Sequence, residues 1–157
     1  MSGQVDVAQV KAVLRERGIY LPDEDLDEII TSIDVNALRE QARRRIKVEE
    51  WKGEPVNGVD LRSHPNPDVR RQVNEVLSRG GKIYKVYIDG RLVILQYHKP
   101  FSPGLEPITE SEYSQVVEQH VNHLVDTMTF WEVVAQATVK ARDRLAELFR
   151  KIKQVTA

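Results

Sequence analysis

No cysteine stands anywhere in the 157 residues, which excludes disulfides and thiolate metal sites. Its absence fits a reducing compartment, and equally a hot habitat in which thermolabile cysteine is avoided. No apolar stretch approaches the roughly 18 residues that a membrane span needs, so none is expected. Residues 1–6 carry neither a basic region nor an apolar run, so no signal peptide is expected either. Net charge is also scarce, at −1, which by itself argues against a simple nucleic-acid binder. What is there is 41% apolar and 30% charged residues, the balance of a globular chain with a heavily charged surface.

The charge is sorted along the chain. Residues 1–38 hold 3 bases against 8 acids, and residues 39–52 hold 6 against 3. Residues 101–138 hold no base and 6 acids, and residues 139–157 hold 6 bases and 2 acids. Alternating blocks can neutralise one another between subunits while leaving a basic face for phosphates. They are equally compatible with ordinary solvated helix faces.

Apolar periodicity organises the chain. Val7, Val10 and Leu14 predict a helix over 5–17 that Gly18 stops. A second begins at Asp23, which can cap it, with Leu26, Ile29, Ile30 and Ile33 on one face. A third run holds Val35, Leu38, Ala42 and Ile46; whether Asp34 restarts a helix or one helix covers 24–51 stays open. The apolar face thins beyond Leu38, where Arg39, Arg43, Arg44, Arg45 and Lys47 gather, leaving less to bury and more to offer a polyanion. Residues 52–66 read as a loop, after which Asn66 and Pro67 start a short helix that Gly80-Gly81 ends. Residues 83–88 and 92–97 flank Asp89-Gly90 as a β-hairpin with a type I′ turn, followed by a proline-bearing loop over 99–107.

From Thr109 onward there is neither proline nor glycine. Thr109 and Glu112 have capping-box spacing, as do Thr129 and Glu132, so a break near 127–129 is plausible. The last stripe, Phe130, Val134, Ala137, Ala141, Leu145, Leu148 and Ile152, approaches a heptad repeat. It suits core packing first and a partner-subunit contact second. The fold class is therefore mainly α with one β-hairpin (α+β): a helical arm with a basic cluster over 1–52, and a helix, the hairpin and long C-terminal helices forming a bundle over 53–157.

No catalytic constellation is intact, and neither a cofactor nor a metal site is expected. His120 and His123 have the i, i+3 spacing of a metal pair, but no cysteine or H-E-x-x-H pattern supports them. The stripe position of His120 favours a packed or partly buried role. Neither Gly80-Gly81 nor Asp89-Gly90 has phosphate-loop spacing.

The stretch 81–98 and the helix after it resemble the core of the CRISPR-associated RecB-type nucleases of the PD-(D/E)xK superfamily. That family carries a metal-binding Asp on one strand, Glu-x-Lys on the next, and a Q-x-x-x-Y helix. Tyr84 stands in place of the Asp, Gln96 in place of the Glu and His98 in place of the Lys. Gln115 matches the helix signature, while Gln119 stands where the Tyr would be. A phenol and a neutral amide do not hold a divalent cation as two carboxylates do, so the resemblance implies an inactive core.

An inactivated core of this kind, between basic helical segments, is similar to the nucleocapsid (major coat) proteins of filamentous viruses of hyperthermophilic archaea, the tristromavirus type. The resemblance implies a virion coat subunit, assembled in the host cytoplasm beside other copies and a paralogous coat subunit. It would wrap A-form double-stranded DNA in a helical filament. Backbone contacts would come from Arg39, Arg43, Arg44, Arg45 and Lys47, helped by Arg70, Arg71, Lys140, Arg142 and Arg144. A different class remains open: a small intracellular adaptor or regulator that binds a protein partner through its helices, with the arginines in surface ion pairs.

Overall fold

The computed structural model describes residues 5–98 and 110–156. Among them the order is α1 (Val7–Glu16), α2 (Asp23–Thr31), α3 (Val35–Arg45), β1 (Ile46–Glu50), a 3-10 turn (Leu61–Ser63), α4 (Pro67–Ser78), β2 (Lys82–Ile88), β3 (Arg91–His98) and α5 (Glu110–Thr156). The fold is mainly helical with a small antiparallel sheet, β1-β2-β3. It divides into two compact units: Met1–Arg43 with Asn122–Ala157, and Arg44–Val121. A sequence boundary at 52/53 therefore falls inside the second unit.

The first unit is helical. Asp6 caps α1 by accepting hydrogen bonds from the backbone N–H of Ala8 and Gln9, and Gly18 takes the left-handed conformation (φ +81°) that stops it. Asp23 does not cap α2. Pro22 occupies that position without a side-chain cap, and Asp23 lies in the first turn, ion-paired with Arg15. The open question over 24–51 resolves as a break: α2 ends at Thr31, and Asp34 accepts from the Ala37 N–H at 3.1 Å. The core joins Val10 and Leu14 of α1, Leu26, Ile29 and Ile30 of α2, Leu38 of α3, and Val133, Val134, Ala137 and Ala141 of α5.

α5 is continuous from Glu110 to Thr156, with no break at 127–129. Thr129 and Glu132 do not form a cap, because Thr129 is buried inside the helix. Val125, Val133, Val134, Ala137 and Ala141 are fully enclosed around it, so apolar packing on this face outweighs the capping signal. His120 is exposed rather than packed or partly buried; Val116, Val117, Val121 and Leu124 near it are half-buried.

The second unit holds the sheet. The expected hairpin is present: Asp89 (φ +53°) and Gly90 (φ +78°) both adopt the positive φ that a type I′ turn requires. Its strands pair from Lys82↔His98 to Ile88↔Arg91, with an irregularity between Val86 and Tyr87. The third strand corrects the arm: residues 46–50 are extended rather than helical, paired from Ile46↔Ile88 to Glu50↔Tyr84. The β-branched Ile46 and Val48 alternate with charged residues, a pattern that fits a half-buried strand once β2 offers its edge. α4, capped by Asn66 with Pro67 in its first turn, packs Val73 and Val76 with Ile83, Trp51, Val56 and Leu61. A β-carbon on Gly81 would stand 2.2 Å from the His98 carbonyl oxygen and 2.7 Å from Val76 Cγ1, so only glycine fits where α4 hands the chain to β2. The loop expected over 99–107 and the cap expected at Thr109 lie outside the described residues.

Candidate nucleic-acid and partner interfaces

In the first unit most expected phosphate contacts are engaged internally. Arg39 of α3 is ion-paired with Asp126 of α5, and Arg43 Nη2 donates to Asn122 Oδ1 at 2.7 Å. Arg144 reaches Asp25 at 3.0 Å and Glu28 at 3.5 Å on α2, and Lys140 Nζ donates to Ser32 Oγ at 2.9 Å. These contacts fix α5 antiparallel to both α2 and α3. Arg142 is exposed, as are Arg150 and Lys151 on the next turns.

The apolar stripe of α5 changes character along its length. Val133, Val134, Ala137 and Ala141 are wholly buried, and Leu145 is half-buried. Beyond it Leu148 and Ile152 are exposed, with Phe149 at 67% and Val155 at 86% exposure. The repeat continues in sequence after the partner helices have ended. Residues 148–156 contain Arg150, Lys151 and Lys153 and no acid. Elsewhere in the unit Val5, Val7, Ile30, Ile33 and Val35, with Thr31, Asp34 and Asn36, line an open groove of about 530 Å³.

In the second unit Arg45 holds Asp89 with two nitrogens, at 2.8–3.2 Å, and its backbone carbonyl accepts from the Asp89 N–H at 3.0 Å. The Arg45 hydrogen bonds lower the Asp89 carboxyl pKa below its ordinary value. Lys47, on β1 rather than a helix, pairs with Glu49 at 2.9 Å. Arg44, Arg45, Lys47, Glu49, Tyr87, Asp89 and Gly90 line a depression of about 610 Å³ of mixed charge. On α4, Arg71 pairs with Asp68 at 3.2 Å and Arg70 donates to the His64 carbonyl at 3.2 Å.

Sequence reasoning missed Lys85. Its side chain is buried in the sheet, and Nζ lies 2.5 Å from Glu54 and 3.6 Å from Glu49. The hydrogen bond from Lys85, with backbone N–H donors, draws the Glu54 pKa down to about 2; the same bond raises that of Lys85. Only the alternation of β2, which puts Lys85 on the face of Ile83, could have flagged it.

The sheet does bring the nuclease-like positions together. Tyr84 and Gln96 are direct partners across β2 and β3, and His98 follows two residues on, on the same face. Tyr84 and His98 meet edge to face, with centroids 6.1 Å apart. Burial, and to a smaller extent His120, lowers the His98 pKa below 6.5, favouring the neutral imidazole at neutral pH. A phenol, an amide and a neutral imidazole supply neither the anionic ligands nor the cation of a metal-dependent phosphodiester cut. Among the described residues no group of three or more His, Asp or Glu could hold a metal ion, and no helix is long and apolar enough to cross a membrane.

Comparison with known proteins gave no match to a family model, to a curated protein or to a solved structure.

Proposed function

We propose that the protein is a non-catalytic structural subunit that assembles with other copies through its helices and lies on the phosphate backbone of double-stranded DNA, as a virion coat protein would. The observation that carries this reading is the end of α5, where Leu148, Phe149, Ile152 and Val155 are exposed among Arg150, Lys151 and Lys153. Exposed apolar side chains in a run, rimmed by charge, mark a surface meant to be covered. Cations beside them bring a polyanion to the assembled array without reading bases. Within the first unit the phosphate-contacting residues are then Arg142, Arg150 and Lys151; within the second, taken by itself, Arg44 and Arg70 are exposed. Arg39, Arg45 and Arg144 serve chiefly to hold the chain to itself. The neutral cluster Tyr84, Gln96 and His98 remains as scaffold.

The test is duplex binding by the full chain as a function of salt, with electron microscopy of the same sample. Salt-sensitive binding that is independent of sequence, with ordered rods, is the expected result. Absent or salt-independent binding removes the DNA half of the proposal.

A second reading draws on the same ion pairs. Arg39, Arg45, Lys47, Arg71 and Arg144 all meet carboxylates of their own chain. This favours an adaptor that uses the α5 stripe for a protein partner and ignores DNA. A discrete small oligomer with no affinity for duplex would select it.

A further inference from the structure

The groove and the stripe of the first unit are complementary in character and separated in position. The groove is walled by Val5, Val7, Ile30, Ile33 and Val35 and has no cation among the described residues of its lining. Asp34, whose Oδ1 accepts from the Ala37 N–H, is one of its lining residues, and Asp6 lies between two of its valines in sequence. The stripe is apolar with Arg150, Lys151 and Lys153 interleaved. α5 passes Ser32, at the end of α2 beside the groove, at Lys140. From there it runs towards Asp25, near the start of α2, which is away from the groove. At 1.5 Å per helical residue, Val155 lies roughly 22 Å farther along the axis than Lys140. The stripe of one chain therefore does not reach its own groove.

We infer that the end of α5 of one copy docks into the groove beside α1, α2 and α3 of a second copy, head to tail. The second copy is the occupant because the surfaces match in two respects: apolar side chains meet the valines and isoleucines of the groove, and the cations of the tip meet Asp34 in its lining, with Asp6 adjacent in sequence to two of its valines. The two surfaces differ, so each docked copy still offers one of each, and the contact propagates into a ring or an open filament instead of closing as a two-fold dimer. This rests on the assembly half of the proposed function and not on its DNA half.

The experiment is sedimentation velocity on the full chain without DNA over a range of concentrations. One variant blocks the tip (Phe149→Glu with Val155→Glu), and another fills the groove rim with cations (Thr31→Arg with Asn36→Arg). All four positions are exposed, and thermal melts followed by circular dichroism verify folding. The single substitutions Val155→Glu and Thr31→Arg provide the same test should a double variant misfold. The unaltered protein is expected to grow in mass with concentration, and each variant alone to stay monomeric. An equimolar mixture should give a one-to-one dimer and nothing larger, since tip variant and groove variant retain one compatible pair of surfaces. A groove variant that assembles as the unaltered chain does, or a mixture that stays monomeric, overturns the docking while leaving assembly in place. An unaltered chain that is monomeric throughout overturns both.

Discussion

Residues 133–141 and 148–155 of α5 carry one apolar repeat, and the two stretches have opposite fates. The first is sealed beneath α1, α2 and α3; the second stands in solvent. The cations repeat the contrast. Arg39 and Arg144 flank the sealed stretch and are bonded to Asp126, Asp25 and Glu28, while Arg142, Arg150 and Lys151 are exposed. The difference teaches that periodicity states what a helix can bury, and the neighbours available decide how much of it is buried. What remains uncovered is the better guide to function.

Substitutions on the two stretches should separate cleanly. Val134→Ala removes two buried carbons and leaves a cavity, costing about 2 kcal/mol in urea unfolding. Phe149→Ala, measured at high dilution, should stay within about 0.5 kcal/mol of the unaltered chain. An equal loss at both positions would break the comparison. The second unit gives a similar magnitude from the opposite cause: Gly81→Ala forces a β-carbon against the His98 carbonyl and Val76, costing about 1–3 kcal/mol.

One turn before the sealed stretch, Thr129 buries a hydroxyl with no hydrogen-bond partner among the described residues. Thr129→Val keeps the shape and removes the unsatisfied group, and should raise stability by about 1 kcal/mol. For the cations, the readout is the salt slope of duplex binding. Arg142→Ala with Lys151→Ala should reduce it by about 1 per lost phosphate contact, whereas Arg39→Ala should leave it unchanged while loosening α3 from α5. A slope that responds to Arg39 and not to Arg142 would reverse the assignment.

The smallest effect is in acid. The Glu54 pKa is about 2 in the folded chain against an ordinary 4.5, because Lys85 and backbone N–H groups favour the carboxylate. A depressed pKa contributes stability above about pH 4.5 that is lost as pH falls towards 2. Glu54→Gln should therefore flatten the acid limb of the stability profile within that window. A limb of unchanged slope would show the pair to be no more than a surface contact.

Much of the local structure was legible. Asp6, Asn66-Pro67, Gly18 and Asp89-Gly90 act through their own backbone and the residues beside them, so the caps, the stops and the hairpin turn follow from short stretches of chain. The strand at 46–50 was not legible as such, because Ile46 and Val48 fit a helical run as well as a strand until β2 presents partners 34 to 42 residues later. Nor could the capping-box spacing at Thr129 and Glu132 reveal that the helix runs through it, since that depends on what packs around Thr129.

The candidate site divides in the same way. Sequence alone determined which residues are cationic, which face of α5 is apolar, and that Tyr84, Gln96 and His98 lack metal-binding carboxylates. Only the tertiary structure decided which guanidinium groups are neutralised by carboxylates of their own chain and where the apolar face of α5 loses its cover. The physical reason is range. Capping and turn formation are settled within a few residues, whereas the ion pairs of Arg45, Arg39 and Arg144 join partners 44, 87 and 119 positions away.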